Sequence, residues 1–328
     1  MAITLADAKV GMADKIEQQV IDTFIRKSEI LELLPFDDSV SPTGGSTLVY
    51  GYVQTKKPSS ASFRAINSEY TANEATLTSK TVNLKIFGGS FQIDRVIKDT
   101  EGKLNNMAFQ IEQKVEAAVE LFHNTMINGD TAKQTLQFDG LDKMLVGTTT
   151  EFNTEKVIDL STISNLKANA DEFYEALLLL INRTNADALL VNETMKTKIQ
   201  TVARVLGYKT ESEEAFGRTV TTIGENKVRL IDLGNFYNGE EGEGTPIIDV
   251  KTRTVGTSQT GLTDIYAVKF DVNKGFCGVT LTGNNIISTI LPDFKTPGAV
   301  KTGEVEMVAA VALKNTKSAG VLRNIKVQ

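Results

Sequence analysis

A chain of 328 residues with 41% hydrophobic and 23% charged side chains can bury a large core and form more than one subdomain. The longest apolar run, Ala176 to Ile181, is too short to span a bilayer, and a single cysteine excludes an internal disulfide framework and fits a reducing compartment. The formal net charge of −6 argues against a basic saddle gripping nucleic acid; it does not argue against a container for nucleic acid, because a mildly acidic wall lets packed polyanion slide.

In chain order, the first nine residues show no basic stretch followed by an apolar core, so no signal peptide is expected. Residues 4–33 place Leu5, Val10, Ile16, Val20, Phe24 and Ile30 at helical spacing, ending at Leu34-Pro35. That helix packs either on its own domain or across a neighbour. Residues 41–45 form a turn cluster, and Thr47 to Gln54 is strand-like, rich in β-branched and aromatic residues. Gln54 to Asn73 reads as polar, and strand character returns from Ala75 to Phe87. Gly88-Gly89 predicts a bulge or bend before the lead into the next helix.

The two arms pair naturally as an antiparallel hairpin of about 20 residues each, reaching roughly 60 Å. An isolated two-stranded ribbon with a polar tip is marginal in water. It survives as a disordered loop or by lying on another chain, and the second outcome is the expectation. Residues 46–85 carry five bases and two acids, a net +3. Lys56, Lys57, Arg64, Glu69 and Lys80 are therefore the candidate inter-subunit contacts.

Thr100 to Asn128 predicts one long amphipathic helix, the spine of the subunit. Leu104, Met107, Ile111, Val115, Ala118, Phe122 and Met126 recur at steps of three or four, Thr100 caps the start and Gly129 closes the end. Its length is roughly 40 Å. Residues 131–163 read as short strands and turns. Asp171 to Asn182 predicts a helix, Asp187 to Asn192 a buried strand, and Glu193 to Leu206 a helix capped by Asn192 and stopped by Gly207. A hairpin covers 220–231, with its turn near Glu225-Asn226, and an acidic glycine-rich loop follows at 238–245. Thr263 to Asp271 predicts a strand with period-two alternation, continued in the same sheet by Gly278 to Thr282. Glu304 to Lys314 and Ala319 to Val327 predict a closing hairpin beneath the spine helix.

Catalytic signals are thin. Any Ser-His-Asp or Cys-His arrangement would need His123, which sits in the spine helix and reads as structural. Cys277 reads as an apolar filler. No phosphate-binding loop, zinc-protease motif or dinucleotide fingerprint appears. One histidine and one cysteine do not make an ordinary zinc site, and the pairs Asp37-Asp38 and Glu240-Glu241 lack the alternating spacing of a calcium loop. No catalytic, cofactor-binding or metal residue is assigned.

The order of parts resembles the major capsid proteins of tailed bacteriophages, the HK97-like fold. The resemblance rests on residues 1–54, on Glu116 to Asp130 followed by Phe138-Asp-Gly-Leu, and on the late strands Thr263 to Asp271 and Val311 to Leu322. It implies an α+β subunit with four parts. These are an N-terminal arm at 1–45, an extended hairpin (E-loop) and its base at 46–97, a P-domain at 98–160 and 276–328 holding spine helix 100–128, and a compact α/β A-domain at 161–275. It further implies a non-enzymatic shell protein that self-assembles through pentamers and hexamers into an icosahedral virion capsid in the bacterial host cytoplasm. A scaffolding protein and portal would be partners, the packaged double-stranded DNA would be held without sequence-specific contact, and no membrane would be involved. An encapsulin-like compartment is the alternative on the same fold. A soluble α+β enzyme is the alternative from another class.

Overall fold

In the computed structural model the described residues are 29–40, 48–95, 106–208, 211–215, 218–223, 227–237, 244–282 and 286–328. The predicted helix before residue 29, the helical turns at 100–105, the hairpin turn at 225–226 and the acidic loop at 238–243 lie outside them. The described chain is a mixed α+β structure. It is built around a spine helix, α2 (Asn106–Asn128), preceded by α1 (Glu29–Leu33) and four strands: β1 (Phe36–Val40), β2 (Val49–Lys57), β3 (Thr76–Asn83) and β4 (Lys85–Asp94). On α2 the predicted apolar face holds. Ile111, Val115, Ala118, Phe122 and Met126 are buried, while Glu112 and Gln113 are exposed. Phe122 sits in an aromatic nest, with ring centroids 6.2 Å from Phe36, 6.2 Å from Phe87 and 5.9 Å from Phe138.

After α2 come α3 (Leu141–Leu145), β5 (Glu151–Phe152), β6 (Ile158–Asp159), α4 (Ile163–Thr184), β7 (Ala188–Val191) and α5 (Glu193–Leu206). The single turn α3 stands where strands and turns alone were expected. Helix α4 starts earlier than predicted because the Thr162 side chain accepts a hydrogen bond from Asn165 N, and Leu166 and Ala170 extend its buried face. The caps of α5 are those read from the sequence. Asn192 Oδ1 accepts from Met195 N at 2.8 Å, and Gly207 closes the helix at φ 78°, a left-handed conformation that favours glycine.

The remaining strands are β8 (Glu211–Ala215), β9 (Arg218–Ile223), β10 (Val228–Asp232), β11 (Asn235–Phe236), β12 (Thr245–Pro246), β13 (Lys251–Val255), β14 (Thr257–Val268), β15 (Phe276–Leu281), β16 (Ile287–Ile290), β17 (Val300–Leu313) and β18 (Ala319–Lys326). The predicted 220–231 hairpin is β9–β10. A nine-stranded sheet runs β5-β18-β14-β7-β10-β9-β8, with β6 and β13 at its sides, and a five-stranded sheet combines β1, β15, β17, β16 and β4.

The nine-stranded sheet is a wall between two cores. Leu190, Ile231, Val268 and Val321 face the core of the spine helix; Leu189, Leu230, Ala267 and Leu322 face the core under α4 and α5. Because both faces are covered, β14 is buried at every residue from Leu262 to Val268, not at alternate ones as predicted.

Two further expectations are corrected. β15 does not continue the sheet of β14, and β17 and β18 are not a hairpin: β14 pairs with β18 in one sheet, β15 with β17 in the other. Two antiparallel strand paths, 257–281 and 300–326, run side by side and bend together at the corner where Val268 faces Ala319 and Phe276 faces Leu313. Gly88-Gly89 is neither bulge nor bend. β4 pairs with β17 in unbroken register from Lys85 to Asp94. A Cβ at Gly88 would lie 2.0 Å from the Val305 carbonyl oxygen, so the glycine permits close strand approach.

Candidate assembly surface

The projecting ribbon is β2 and β3, paired from Val49–Asn83 to Lys57–Thr76. Its paired arms have nine and eight residues, about half the predicted length, and residues 58–75 form no strand. The root is fixed to the body by its inward-facing side chains. Tyr50 Oη donates to Asp37 Oδ2 at 2.7 Å, and Lys314 Nζ reaches the same oxygen at 3.0 Å while lying 5.1 Å above the Tyr50 ring. Tyr52 Oη donates to the Leu313 carbonyl and Gln54 Nε2 to that of Lys314. Burial raises the Tyr50 and Tyr52 hydroxyl pKa values. For Lys314, burial favours the neutral amine, but its contacts with Tyr50 and Asp37 outweigh it and hold the ammonium above its ordinary range.

The tip is the reverse of the root. Phe63 is fully exposed, Ile66 is 91% exposed and Tyr70 is 62% exposed. The expectation of a polar tip is therefore wrong. Three large apolar side chains within eight residues were the signal, hidden among Arg, Asn, Ser and Glu. Arg64 holds the tip in shape: its guanidinium donates to the Ser68 carbonyl at 3.2 Å and lies 5.3 Å from the Tyr70 ring centroid.

The candidates from the sequence do not gather at one place. Lys56 and Lys57 end β2, Arg64 and Glu69 stand on the tip, and Lys80 sits opposite Tyr52 near the root. Charge divides along the ribbon. Residues 48–57 and 76–85 hold Lys56, Lys57, Lys80 and Lys85 and no acid; residues 58–75 hold Arg64 against Glu69 and Glu74. The net +3 is thus +4 on the arms and −1 on the tip.

Between the ribbon's root and the body lies an open crook of about 530 Å³. It is lined by Lys80, Val82, Asn83 and Lys85, and by Thr131, Thr135, Phe138, Asp139 and Met144. Lys85 Nζ donates to the Thr135 carbonyl at 2.7 Å. Asp139 is engaged by Lys143 at 2.8 Å, which with the other bonds around it holds its pKa low against the opposing effect of burial.

A second polar centre is structural. Arg323 on β18 contacts Asp142 of α3, Glu151 of β5 at 2.9 Å and Asp264 of β14 at 3.2 Å, and Arg253 pairs with Asp264 as well. Burial alone would raise the Asp142 pKa, but the Arg323 guanidinium holds it below the usual range. The site is a β-bulge: Arg323 and Asn324 together face Asp264, with Asn324 at φ 60°. No sequence signal marked it, because its members lie far apart in the chain.

His123 is buried beside Phe122, and burial lowers its pKa to about 4, so it is neutral at pH 7. Cys277 is buried, and burial pushes its thiol up to about 11. Among the described residues no cluster of His, Cys, Asp or Glu is arranged to hold a metal ion, and no helix is long and apolar enough to cross a membrane.

No protein-family model matches the sequence, and no curated protein sequence matches it. The structure, however, is similar to solved shells. The encapsulin SrpI of Synechococcus elongatus PCC 7942 superposes with a TM-score of 0.60 at 13% identity, covering 91% of this chain and 88% of that one. The capsid of a native GTA particle gives a TM-score of 0.60 at 9% identity, covering 93% and 90%. A structure from Mycobacterium phage Adephagia gives 0.56 at 10% identity, covering 92% and 91%. The arrangement of spine helix, projecting ribbon and two sheets is therefore the HK97-like capsid fold, the fold to which the order of parts in the sequence points.

Proposed function

We propose that this chain is the structural subunit of a closed protein shell, a phage major capsid protein enclosing double-stranded DNA, without an enzymatic role. The observation that carries this reading is the ribbon. Its root is locked to the body by Tyr50, Tyr52 and Gln54, yet its tip holds Phe63, Ile66 and Tyr70 in water. Exposed large apolar groups on a braced arm are a docking surface awaiting a partner. In a shell each arm meets an identical neighbour, so a modest contact is repeated around every ring.

The four-part division given by the resemblance serves as the working map: an N-terminal arm at 1–45, the E-loop at 46–97, the P-domain at 98–160 and 276–328, and the A-domain at 161–275. Pentamers and hexamers of the chain, a scaffolding protein and a portal are the partners it implies. The virion capsid is the location.

A second reading, an encapsulin-like compartment with protein cargo, is favoured by the SrpI likeness. Negative-stain microscopy of the purified chain, with and without a co-encoded scaffold, tests both. Closed shells that protect DNA from nuclease support the capsid; closed shells holding protein and no DNA support the compartment. Deleting Lys56 to Ser68 is expected to leave a folded subunit that does not close shells. Normal shells from that deletion would refute the role given to the ribbon.

A further inference from the structure

We infer that the crook between the ribbon's root and the body is a binding site for a small organic anion, an apolar body carrying one carboxylate, sulfonate or phosphate group. The site belongs to the single subunit and does not depend on the shell reading. The crook holds about 530 Å³, a volume that encloses a small ligand. Strands β3 and β4 bring Lys80, Val82 and Lys85 to it, and the segment after the spine helix brings Thr135, Phe138 and Met144.

Lys80 carries the argument. Directly opposed residues of an antiparallel pair project to the same face. Lys80 opposes Tyr52, whose hydroxyl reaches the Leu313 carbonyl, so Lys80 stands on the side of the ribbon that faces the body. It is exposed, and it forms no ion pair among the described residues. Lys85 gives one N–H of its ammonium to the Thr135 carbonyl and has no carboxylate partner among the described residues, so it keeps donors for a ligand. The one acid in the lining, Asp139, is already engaged: Lys143 lies 2.8 Å from it and the Thr131 N–H donates to it at 2.8 Å. Two lysines without carboxylates beside a neutralised aspartate make the crook attractive to an anion. Val82 and Met144 are half-buried there, and the Phe138 ring belongs to the same lining. A ligand of charge alone would leave this apolar surface wet, and a ligand without charge would leave Lys80 unanswered. A bound anion touches both the ribbon strands and the segment after the spine helix, so occupancy ties the root of the arm to the body.

The test titrates 1-anilinonaphthalene-8-sulfonate, an apolar ring system with one sulfonate, into the full chain as dissociated subunit. Light scattering verifies that no shells are present. The expected result is a saturable rise in fluorescence at one probe per chain. Amide hydrogen exchange should slow at residues 80–85 and 131–139 and stay unchanged at 63–70. Lys80→Glu is expected to weaken binding about tenfold, and Lys80→Arg to retain it. The uncharged analogue N-phenyl-1-naphthylamine is expected to bind about tenfold more weakly than the sulfonate. Phe63→Ala, which removes an apolar group from the tip, should leave the affinity unchanged. Because Lys80 is exposed, its variants keep the fold, which circular dichroism checks. Unsaturable binding, exchange protection confined to the tip, or equal affinity of wild type and Lys80→Glu would overturn the inference. Each of these results leaves the shell reading standing, since that reading is tested by microscopy of assembled particles.

Discussion

The ribbon and the body obey opposite rules with the same residue types. In the body, Phe122 has zero exposure and touches three other aromatic rings; on the ribbon tip, Phe63 stands wholly in water. In the body, Arg323 is buried among three carboxylates; on the tip, Arg64 bonds its own loop in water. The body is stabilised within one chain, whereas the ribbon has a fixed root and a tip whose apolar surface remains in water. The energetics of the two should therefore separate: changes to the body cost folding, and changes to the tip cost association.

The largest expected effect on folding is Phe122→Ala, at about 3–5 kcal/mol, because it opens a cavity in a full core. Denaturant unfolding of the variant measures it; a loss below about 1 kcal/mol would break the comparison on the body's side. Next is Arg323→Met. Removing the cation leaves Asp142, Glu151 and Asp264 close together, with only Arg253 still on Asp264, and the expected cost is about 3–5 kcal/mol. A neutral result would mean that the network adds specificity but no stability.

His123 sharpens the comparison through pH. Its folded pKa of about 4 lies below the ordinary value near 6.5, so between those values the unfolded chain binds a proton that the folded chain refuses. The contribution is full above pH 6.5 and is lost as pH falls toward 4, by about 3 kcal/mol at most. The Asp142 contribution has the same sign but a lower window, lost only as pH falls below about 4 through its depressed pKa. Stability curves of wild type and His123→Gln at pH 7, 6, 5 and 4.5 should converge as pH falls; parallel curves would show that His123 does not titrate in that window.

The smallest expected effect is Phe63→Ala, within about 0.5 kcal/mol of wild type in unfolding of the dissociated subunit. The same variant should reduce shell yield clearly in light scattering. A measurable loss of subunit stability would instead place Phe63 in a contact within its own chain.

Local patterns were legible where a rule acts over one or two turns. The face from Ile111 to Met126, the Asn192 cap, the Gly207 stop and the buried β7 follow from side-chain spacing and backbone chemistry that operate within the segment itself. The ribbon was legible as two arms, but its tip was misread because Phe63, Ile66 and Tyr70 show no strand or helix period. Their meaning lies in exposure, which composition does not report.

By itself, then, the sequence determined the spine helix face, the capped helices and strand of the α/β unit, the existence of the ribbon and, through the order of these parts, the fold. Only the tertiary structure decided which strands share a sheet. The segments flanking Asn273 and Asn315 have strong strand character on both sides, and nothing local says that the chain turns a corner there into a second sheet. It also decided the Arg323 network, because Asp142, Glu151, Arg253, Asp264 and Arg323 meet only when two cores close on a common wall. Pairing and burial are long-range properties, set by the packing of the whole chain.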